Sequence, residues 1–532
     1  MTERDVVVVG SGHNALVAAC YLAREGLDVE VVERDVVVGG AVSTVERFPG
    51  VLMDRGSSAH IMVRHTGLIE ELELSRHGLR YVDMDPWGFA PFPDAAGPGA
   101  ITFWHDVERT CESIAAACGS ADAAAYRRFV DDWLPRNRVV FDFFGSAPTP
   151  AALARAMTAL ARVSRGRTAA MVREFLGSAD AVLDSYFTDE RLKSALAWMA
   201  AQSGPPSHEP ATADMVGWLT MMHVIPPGRP IGGSGVLTRA LASRLAADGG
   251  TVSLGDGVRA ISPAGRGAPA RHRVVLESGR QITAARVVSG AHAWTTADLL
   301  ESSYGEVAHR LRSTARTGNG IGMVLRLQTD RPPAFAADSD RLAHRAMALL
   351  CDDRRELRRC HGEFLAGSAP SNPAALVMCP TVDDPSLAPP GSHTVTVWGQ
   401  WHPYDLATES WSQIGDREAH KLIDVVERHA PGFRSSIQRM HVQTPVDLEA
   451  EIGLRNGNVM HLEMTLDQMF SLRPTSADAG YRVAGVQGVY LTGASTHPGG
   501  GVFGASGRSA ARTVLSDLGH PRMPRLLRDL LG

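Results

Sequence analysis

The stretch VVVVGSGHNALVAACYLAREGLDVEVVERD, residues 6–35, carries the clearest indication of the fold in the 532-residue sequence. It opens with a β-branched run that ends at Gly10, which is typical of a buried parallel strand. Residues 16–24 have the pattern of a helix, and residues 29–32 form a second apolar run that ends at Glu33. The order strand, tight turn, helix, strand and acid predicts a βαβ unit that binds a dinucleotide.

Each residue type in the turn GSGHNA suits a backbone that holds a pyrophosphate. Gly10 permits the tight turn, and Gly12 lets the backbone approach the phosphates. The N-terminus of the following helix offers free N–H groups and the positive end of its dipole. Ala15 stands where the motif usually has its third glycine, a position that needs only close packing of helix on strand. Glu33 can accept hydrogen bonds from ribose hydroxyls, which favours NAD or FAD over NADP at this site.

The sequence after Glu33 favours FAD over NAD. Gly39 and Gly40 form a pair shortly after the acid, and FPGVLMDRGSS follows up to Ser58. In flavoproteins such a pair typically runs along the pyrophosphate and the next loop reaches the isoalloxazine ring, whereas nicotinamide dehydrogenases usually continue into another βαβ unit. We therefore predict FAD as the cofactor, with Ala41 and Ser57 among its contacts.

Composition excludes several classes of protein. The formal net charge of -5 argues against nucleic acid as a partner, because nucleic-acid binders usually carry a basic excess. The six cysteines form no C-x-x-C pair, so neither a disulfide framework nor a metal site is indicated. No stretch supplies the roughly 18 uncharged apolar residues that a spanning helix needs. We expect a cytoplasmic protein that is soluble or at most peripheral to a membrane.

Residues 109–203 are rich in alanine, and their apolar residues recur at helical spacing. One part of this region is apolar on one side and basic on the other. Its arginines are Arg155, Arg162, Arg165, Arg167 and Arg173. Such a face either contacts a membrane surface or a lipid-like substrate, or it is simply the solvated side of a core helix.

The chain returns to an α/β pattern from residue 225. A helix is predicted over residues 237–250, one strand over residues 251–261 (TVSLGDGVRAI), and a hairpin over residues 274–288. Further strand candidates are GMVLRL, AALVMC and HTVTVWGQW, and a helix is predicted over residues 416–430. GVYLTG near the C-terminus predicts another buried strand, followed by the helix GASGRSAARTVL, whose small residues permit close packing.

The two ends of the chain together resemble one family, the FAD-dependent phytoene-dehydrogenase-like (carotenoid desaturase-like) oxidoreductases. The stretch from residue 6 to Gly40, with its His13–Asn14 pair, is similar to the dinucleotide motif of that family. GVYLTGASTHPGGGV, residues 488–502, is similar to the C-terminal signature of bacterial-type phytoene desaturases. The resemblance also covers residues 225–295, and it does not extend to the middle of the chain.

This resemblance implies an α/β fold with a discontinuous Rossmann-like FAD domain formed by residues 1–70, 226–300 and 475–532. A helical cap (71–225) and a mixed α+β sheet (301–474) would form the substrate domain. The residues expected to hold the adenosine diphosphate half of FAD are Gly12, His13, Asn14, Glu33, Arg34 and Gly40. The residues expected to border the adenine, the ribityl chain or the flavin ring are Val258, Gly493, Ala494, Gly501, Val502 and Phe503.

The reaction expected from the resemblance is hydride transfer between the flavin and a hydrophobic small molecule. Removal of a hydride and a proton from adjacent carbons would form a C=C bond, and the reverse transfer would consume one. The substrate would be an isoprenoid or a polyene. The first alternative is NADPH- and FAD-dependent reductive cyclisation of a polyene tetramate macrolactam, in which NADPH binds transiently near the flavin. The second alternative is a flavin-binding interaction protein without turnover.

The sequence does not identify a catalytic base. His60 follows the loop expected near the flavin, and His497 lies inside the C-terminal signature. Either histidine could move a proton, or both could be structural hydrogen-bonding residues. No pattern in the sequence indicates an oligomeric state.

Overall fold

The computed structural model describes residues 2–92, 99–164, 166–265, 271–338 and 341–519. Arg165 of the basic segment and residues 520–532 of the predicted FAD domain lie outside the described residues. The strands are β1 Thr2–Val9, β2 Val29–Val32, β3 Thr44–Phe48, β4 Val51–Asp54, β5 Tyr81–Asp83, β6 Gly88–Pro91, β7 Ala100–Phe103, β8 Gly228–Pro230, β9 Thr251–Ser253, β10 Val258–Pro263, β11 His272–Leu276, β12 Gln281–Ser289, β13 Gly322–Thr329, β14 Met347–Leu350, β15 Ala375–Met378, β16 His393–Gln400, β17 Ile437–Gln443 and β18 Val489–Leu491.

The helices alternate with these strands at both ends of the chain and are consecutive in its middle. They are α1 His13–Arg24, α2 Leu68–Glu71, α3 Val107–Cys118, α4 Ser120–Phe144, α5 Pro150–Val163, α6 Thr168–Leu176, α7 Ala179–Tyr186, α8 Glu190–Ala200, α9 Ala213–Gly217, α10 Gly235–Ala247, α11 Ala293–Leu300, α12 Gly305–Thr314, α13 Arg354–Leu365, α14 Trp411–His429, α15 Phe433–Ser436, α16 Pro445–Ile452 and α17 Ala505–Asp517.

The first sheet gathers strands from three separate parts of the chain. Its order is β10-β11-β12-β1-β2-β9, and β18 pairs with the C-terminal part of β12. β1 runs parallel to both β2 and β12, while β10, β11 and β12 are antiparallel. The predicted α/β class with a Rossmann-like parallel sheet is confirmed.

The β-branched run of β1 is buried on both faces of this sheet. Val6 and Val8 pack with α1, α10 and α17, whereas Val7 and Val9 pack with α11 and α12 on the other face. All four valines are at most 6% exposed. Because side chains alternate across a strand, a strand covered by helices on both faces needs a continuous apolar run, as this sequence has.

The prediction of one strand over residues 251–261 is wrong. β9 pairs with β2 and β10 pairs with β11, so the two short strands lie at opposite edges of the first sheet. The chain crosses between them at residues 254–257, where Gly255 has a φ of +75° and a Cβ on Gly257 would lie 2.9 Å from the Cβ of Arg34. The two glycines fit a crossing chain better than a strand interior.

The second sheet has the order β17-β13-β16-β15-β14-β6-β7 and belongs to the middle of the chain. α14 covers one face of this sheet, where Leu325, Val397 and Leu422 are fully buried. Helices α3 to α9 form a cap whose core is shared with the second sheet, since residues such as Trp133 and Leu196 belong to the same buried cluster as Met347 and Leu376. The predicted strands GMVLRL, AALVMC and HTVTVWGQW are β13, β15 and β16, and the predicted helix is α14.

α17 packs directly on α1, which brings the two ends of the described chain together. A Cβ on Gly507 would lie 2.1 Å from the carbonyl oxygen of Asn14 and 2.9 Å from the Cβ of Val17. The small residues of α17 therefore serve close packing of one helix on the other, as predicted from the sequence.

Candidate cofactor and substrate site

A cavity of about 930 Å³ lies between the two sheets and the helical cap. One end is formed by the C-terminal ends of β1 and β2, the start of α1 and the segment between β18 and α17. The other end is formed by the second sheet and by α4, α5, α6 and α9. The carboxyl ends of parallel strands are where α/β folds bind nucleotides, so the first end is the candidate cofactor site.

Every cofactor contact predicted from the sequence lines this cavity. These residues are Gly10, Gly12, His13, Asn14, Ala15, Glu33, Arg34, Gly39, Gly40, Ala41, Ser57, Val258, Gly493, Ala494, Gly501, Val502 and Phe503. The structure thus brings residues from both glycine-rich runs to one site. Direct contact of each residue with the cofactor stays a prediction.

The start of α1 forms an open cradle of backbone N–H groups. Gly12 is the N-cap and no side chain caps the helix, so its first N–H groups have no side-chain acceptor there. A Cβ on Gly12 or on Gly40 would meet no atom within 4 Å, which leaves room for a ligand against the backbone. The Oδ1 atom of Asn14 is also buried without a hydrogen-bond partner among the described residues. The backbone N–H groups of this cradle fit a diphosphate, whereas the Oδ1 of Asn14 is an acceptor and suits a hydroxyl or N–H donor.

His13 connects the two glycine-rich runs. Its Nε2 atom lies 3.0 Å from the Nδ2 atom of Asn14. The ring also hydrogen-bonds with the backbone of Gly501. Burial lowers the pKa of His13 to about 4, so the ring is neutral at neutral pH. A neutral ring that bridges both runs holds the two walls of the cradle at a fixed distance.

Glu33 is anchored at the cavity wall by backbone and side-chain donors. Its Oε2 accepts hydrogen bonds from the Ser11 N–H at 2.7 Å and from the Ser11 hydroxyl at 2.8 Å, and its Oε1 accepts from the Asp35 N–H at 2.9 Å. The side chain is largely buried yet lines the cavity. A carboxylate oxygen has more than one lone-pair direction, so Glu33 can still accept from a ribose hydroxyl.

The glycines of the C-terminal signature lie against methionines of the preceding loop. A Cβ on Gly500 would lie 2.3 Å from the Sδ of Met460, and one on Gly499 would lie 2.9 Å from the Sδ of Met464. Gly500 also lines the cavity, as do both methionines. Close packing between these two segments therefore requires glycine at both positions, in addition to any approach of the backbone to a cofactor.

Arg473 organises that loop from inside, and sequence reasoning missed it. It is fully buried and donates hydrogen bonds to backbone carbonyls only, with no carboxylate partner among the residues described. Its strongest acceptors are the carbonyl oxygens of Ala494 at 2.6 and 2.9 Å, Met460 at 2.7 Å, and Glu463 and Gln468 at 2.9 Å each. Burial lowers the pKa of Arg473 to about 9, so it stays charged at neutral pH.

Arg326 connects the second sheet to the loop that carries Ser57. From β13 it donates to the Gly56 carbonyl at 3.0 Å, to Ser58 Oγ at 3.2 Å, and to Thr396 Oγ1 at 3.0 Å. It is 1% exposed, it lines the cavity, and burial lowers its pKa to about 10. An arginine inside the apolar run GMVLRL was the sequence signal for this residue, because buried charges are usually functional or paired.

The structure places neither His60 nor His497 on the cavity wall. His60 bonds to the Tyr81 hydroxyl at 2.7 Å and to Ser234 Oγ at 2.8 Å, and burial lowers its pKa to about 3. His497 bonds through Nε2 to the Phe143 carbonyl at 3.3 Å, and burial lowers its pKa to about 4. Both rings are neutral and tied to protein groups, so the structural role is the one their surroundings support.

The end of the cavity away from the cradle is mostly apolar. It is lined by side chains of the second sheet and of the cap, among them Met347, Leu376, Met378, Trp398, Phe175 and Trp218. Such walls suit an extended apolar ligand. Among the residues described, no group of three or more His, Cys, Asp or Glu could hold a metal ion, and no helix is long and apolar enough to cross a bilayer.

Exposed apolar side chains mark the mouth of this cavity on α5 and α6. Leu153, Met157, Val172 and Leu176 are between 37% and 55% exposed, and all four also line the cavity. The described arginines of the basic segment, which are Arg155, Arg162, Arg167 and Arg173, are exposed on or beside the same two helices. The cavity therefore opens to the surface between α5 and α6.

Asp214 is an unexpected carboxyl group in the apolar wall of the cap. Its side chain lines the cavity, and its Oδ1 is buried without a hydrogen-bond partner in the described part of the chain. Burial raises the pKa of Asp214 to about 7, while Asn137 and the positive charge of Arg136 oppose that rise. No motif in the sequence distinguishes this aspartate.

The raised pKa of Asp214 predicts how the variant Asp214→Asn changes stability with pH. The folded state holds a proton that the unfolded state releases near pH 4, so the wild-type chain loses stability as pH rises from about 4 to about 7. We expect Asp214→Asn to gain on the order of 2 kcal/mol over the wild type between pH 5 and pH 8. Urea unfolding of the FAD-loaded wild type and variant at pH 5 and at pH 8 measures this difference in the free energy of unfolding. An equal difference at both pH values would contradict a protonated Asp214.

A Rossmann-like sheet, an open diphosphate cradle and an adjoining apolar chamber define the chain as a flavoprotein oxidoreductase. Residues 16–515 match the family described as flavin containing amine oxidoreductase, and the chain belongs to that family. FAD is accordingly its cofactor, and the open cradle at the start of α1 fits this dinucleotide.

Three similar proteins extend this identification. A rat (Rattus norvegicus) protein named pyridine nucleotide-disulfide oxidoreductase domain-containing protein 2 is 32% identical over 556 residues, which cover 97% of this chain and 94% of that protein. Phytoene dehydrogenase of Streptomyces griseus is 28% identical over 99% of this chain and 97% of its own length. The crystal structure of an oxidoreductase from Methanosarcina mazei covers 97% of this chain and 100% of that one, with a TM-score of 0.60 at 18% identity, and shows the same fold.

Proposed function

We propose that this enzyme transfers a hydride between FAD and an extended apolar substrate, an isoprenoid or a polyene, and so forms or consumes a C=C bond. One observation carries the proposal: the dinucleotide cradle and a chamber with mostly apolar walls belong to the same cavity. The similarity to a phytoene dehydrogenase over nearly the whole chain supports this substrate class.

When bound, FAD supplies the redox chemistry by accepting or giving a hydride. The protein binds and orients the cofactor and the substrate, and it excludes water from the site. The N–H groups of α1 and Glu33 would hold the diphosphate and the ribose, while Arg326 fixes the loop of Ser57 against the second sheet. The apolar walls keep water from the reacting carbons.

We also propose that the substrate enters between α5 and α6. The exposed apolar side chains Leu153, Met157, Val172 and Leu176 lie at this opening, beside exposed arginines. An apolar face bordered by basic residues is the arrangement by which peripheral proteins contact anionic lipid surfaces. Peripheral contact with a membrane at this opening is therefore part of the proposal.

The second candidate function is reductive cyclisation of a polyene with NADPH as the electron donor. It predicts polar anchors within the chamber, and Arg326 and Asp214 are charged or titratable side chains in its wall. Reduction of the flavin by NADPH would favour this candidate, since desaturation needs no reduced nicotinamide.

Anaerobic spectroscopy of the purified FAD-loaded protein tests the proposed function. Oxidised flavins absorb near ~450 nm, and this band bleaches when the flavin is reduced. We expect phytoene or geranylgeraniol in detergent micelles to bleach the band, or lycopene to restore it after photoreduction. If neither these isoprenoids nor NADPH changes the redox state of the flavin, the proposal fails and the protein binds flavin without turnover.

A cavity-filling variant separates substrate access from cofactor binding in this experiment. Met347→Trp adds a large ring to the apolar wall formed by the second sheet, remote from the start of α1. It should keep the flavin band and lose the response to isoprenoids. The exposed substitution Leu365→Trp, at a residue 71% exposed, serves as its control and should behave as the wild type does.

A further inference from the structure

The cap wall of the cavity contains a small polar cluster around Asp214. α9, which carries Asp214, packs on α4 through Gly217, where an added Cβ would lie 2.2 Å from the ring of Trp133 and 2.9 Å from the Nδ2 of Asn137. Asp214 precedes Gly217 by three residues, so both lie on the same face of α9. The contact between the helices brings the carboxyl of Asp214 beside the amide of Asn137.

Three polar atoms of this cluster are buried without a hydrogen-bond partner. They are Oδ1 of Asp214, Oδ1 of Asn137 and Nε1 of Trp133. Asn137 and Trp133 are 0% exposed, and Asn137 Nδ2 donates a hydrogen bond to the Trp133 carbonyl at 3.3 Å. Buried polar atoms in native proteins are nearly always satisfied, and exceptions indicate a water, an ion or a ligand that completes them.

Charge compensation does not account for Asp214. Arg136, the nearest cation that acts on it, forms an ion pair with Glu174 at 2.5 Å and lies over the ring of Trp133. Among the cavity-lining residues 139–218 of the described cap, Asp214 is the one titratable side chain, and its neighbours there include Met215 and Trp218. A buried carboxyl costs free energy unless its oxygens are hydrogen-bonded; Asn137 supplies one bond, and Oδ1 remains for a ligand group.

We propose that Asp214 anchors a hydroxyl or carbonyl group of an otherwise apolar substrate, so that the site prefers an oxygenated isoprenoid or polyene to the corresponding hydrocarbon. The proposal rests on the proposed function and makes its substrate class more specific. A carboxyl group can donate a hydrogen bond to a carbonyl or accept one from a hydroxyl, according to its protonation. The amide of Asn137, buried behind the cavity wall, hydrogen-bonds to the Asp214 carboxyl and so holds it in place.

Binding selectivity tests the anchor without turnover. The probes are farnesol, farnesylacetone and β-farnesene. All three are acyclic isoprenoids; the first has a hydroxyl group, the second a ketone and the third no oxygen. Each is delivered to the oxidised FAD-loaded protein in the same nonionic detergent, and its dissociation constant is read from the change in the flavin spectrum. We expect Asp214→Leu to weaken farnesol and farnesylacetone about tenfold, the size of one hydrogen bond to a buried group, and to leave β-farnesene within about twofold.

Two further variants keep the test decisive. Asp214→Asn keeps a donor and an acceptor, so it should retain most of the affinity for both oxygenated probes. Glu112→Leu removes an exposed carboxyl of the cap that does not line the cavity, and it should leave all three dissociation constants as in the wild type. If Asp214→Leu weakens all three probes equally, or weakens none, the anchor is refuted.

A pH series covers the case in which Asp214→Leu does not fold. Protonated Asp214 donates to the ketone, so the wild-type affinity for farnesylacetone should fall between pH 6 and pH 8, whereas Asp214→Asn should stay flat. The charged groups near Asp214 are Arg136, which acts on its carboxyl, and Glu174, the ion-pair partner of Arg136. Identical profiles for the two proteins would refute the anchor. Failure of the proposed function is seen separately, in the absence of flavin redox change.

Discussion

Replacement of Arg473 by methionine is expected to lower the free energy of unfolding by about 3–4 kcal/mol and to release FAD. The guanidinium group donates to the carbonyls of Ala494, Met460, Glu463 and Gln468. Methionine fills a similar volume but donates nothing, so several buried carbonyls would lose their partner at once. The measurement is urea unfolding of the apo and FAD-loaded proteins, with flavin content determined by absorbance.

One further variant tests whether the geometry of Arg473 or only its charge matters, and a second variant at an exposed arginine is the control. Arg473→Lys keeps the positive charge and offers three donors from one nitrogen. It should therefore lower the free energy of unfolding by roughly half as much as Arg473→Met does. Arg355→Met removes an arginine that is 87% exposed and paired with Asp353, and it should change stability by less than about 0.5 kcal/mol. A midpoint of unfolding for Arg473→Met equal to that of the wild type would show that the loop is organised by something else.

Glu33→Ala is expected to weaken FAD binding by about 10- to 100-fold. The variant removes a charged acceptor for the ribose hydroxyls, worth about 1.5–3 kcal/mol. It also frees the Ser11 N–H and hydroxyl, which Glu33 holds at 2.7 and 2.8 Å, so the turn loses an internal support. Titration of the apoprotein with FAD, followed by quenching of flavin fluorescence, gives the dissociation constant.

Asp28→Asn is the matched control for Glu33→Ala. Asp28 lies in the same βαβ unit, its side chain is 51% exposed, and it bonds to Arg4 at the surface. It should bind FAD as tightly as the wild type. If Glu33→Ala titrates like this control, the adenosine end of FAD lies elsewhere in the cavity.

The parts of the fold that the sequence predicts well are those in which local pattern and tertiary environment agree. The run at β1 is apolar because both faces of the first sheet are covered, so Val6 to Val9 indicate their own burial. The glycines of the turn and of the C-terminal signature meet requirements that other residues could not meet, as Met460 beside Gly500 shows. Both glycine-rich runs of the candidate cofactor site were therefore predictable from the sequence.

The segment over residues 251–261 shows why strand pairing is harder to predict. Both halves of the segment have the β-branched residues of a strand, and the turn-like Gly255-Asp256-Gly257 between them does not show that the two halves pair at different edges. The division depends on which edge of the sheet each half can reach, since β2 and β11 lie at opposite sides. Gly255 and Gly257 were the available signal.

The residues that were missed act through distant partners. Arg473 serves carbonyls on two loops, Arg326 bonds to groups on three other segments, and Asp214 is unusual only because its surroundings are apolar. A single sequence records the residue and not the surroundings. The same reason explains the two histidines: His60 and His497 are near the expected flavin loop in sequence, yet neither lines the cavity, and both rings bond to protein groups.

The hydrogen bond between His13 and Gly501 joins two walls of the cradle that are synthesised at very different times. The ribosome completes the first wall of the cradle early, and the second wall follows only after nearly all the intervening chain has been synthesised. The nascent chain therefore carries half a cofactor site through most of its synthesis, and pairing β18 with β12 is a late, long-range step of the slow-folding kind. A complete cradle therefore exists only after both glycine-rich runs have been synthesised and β18 has paired with β12.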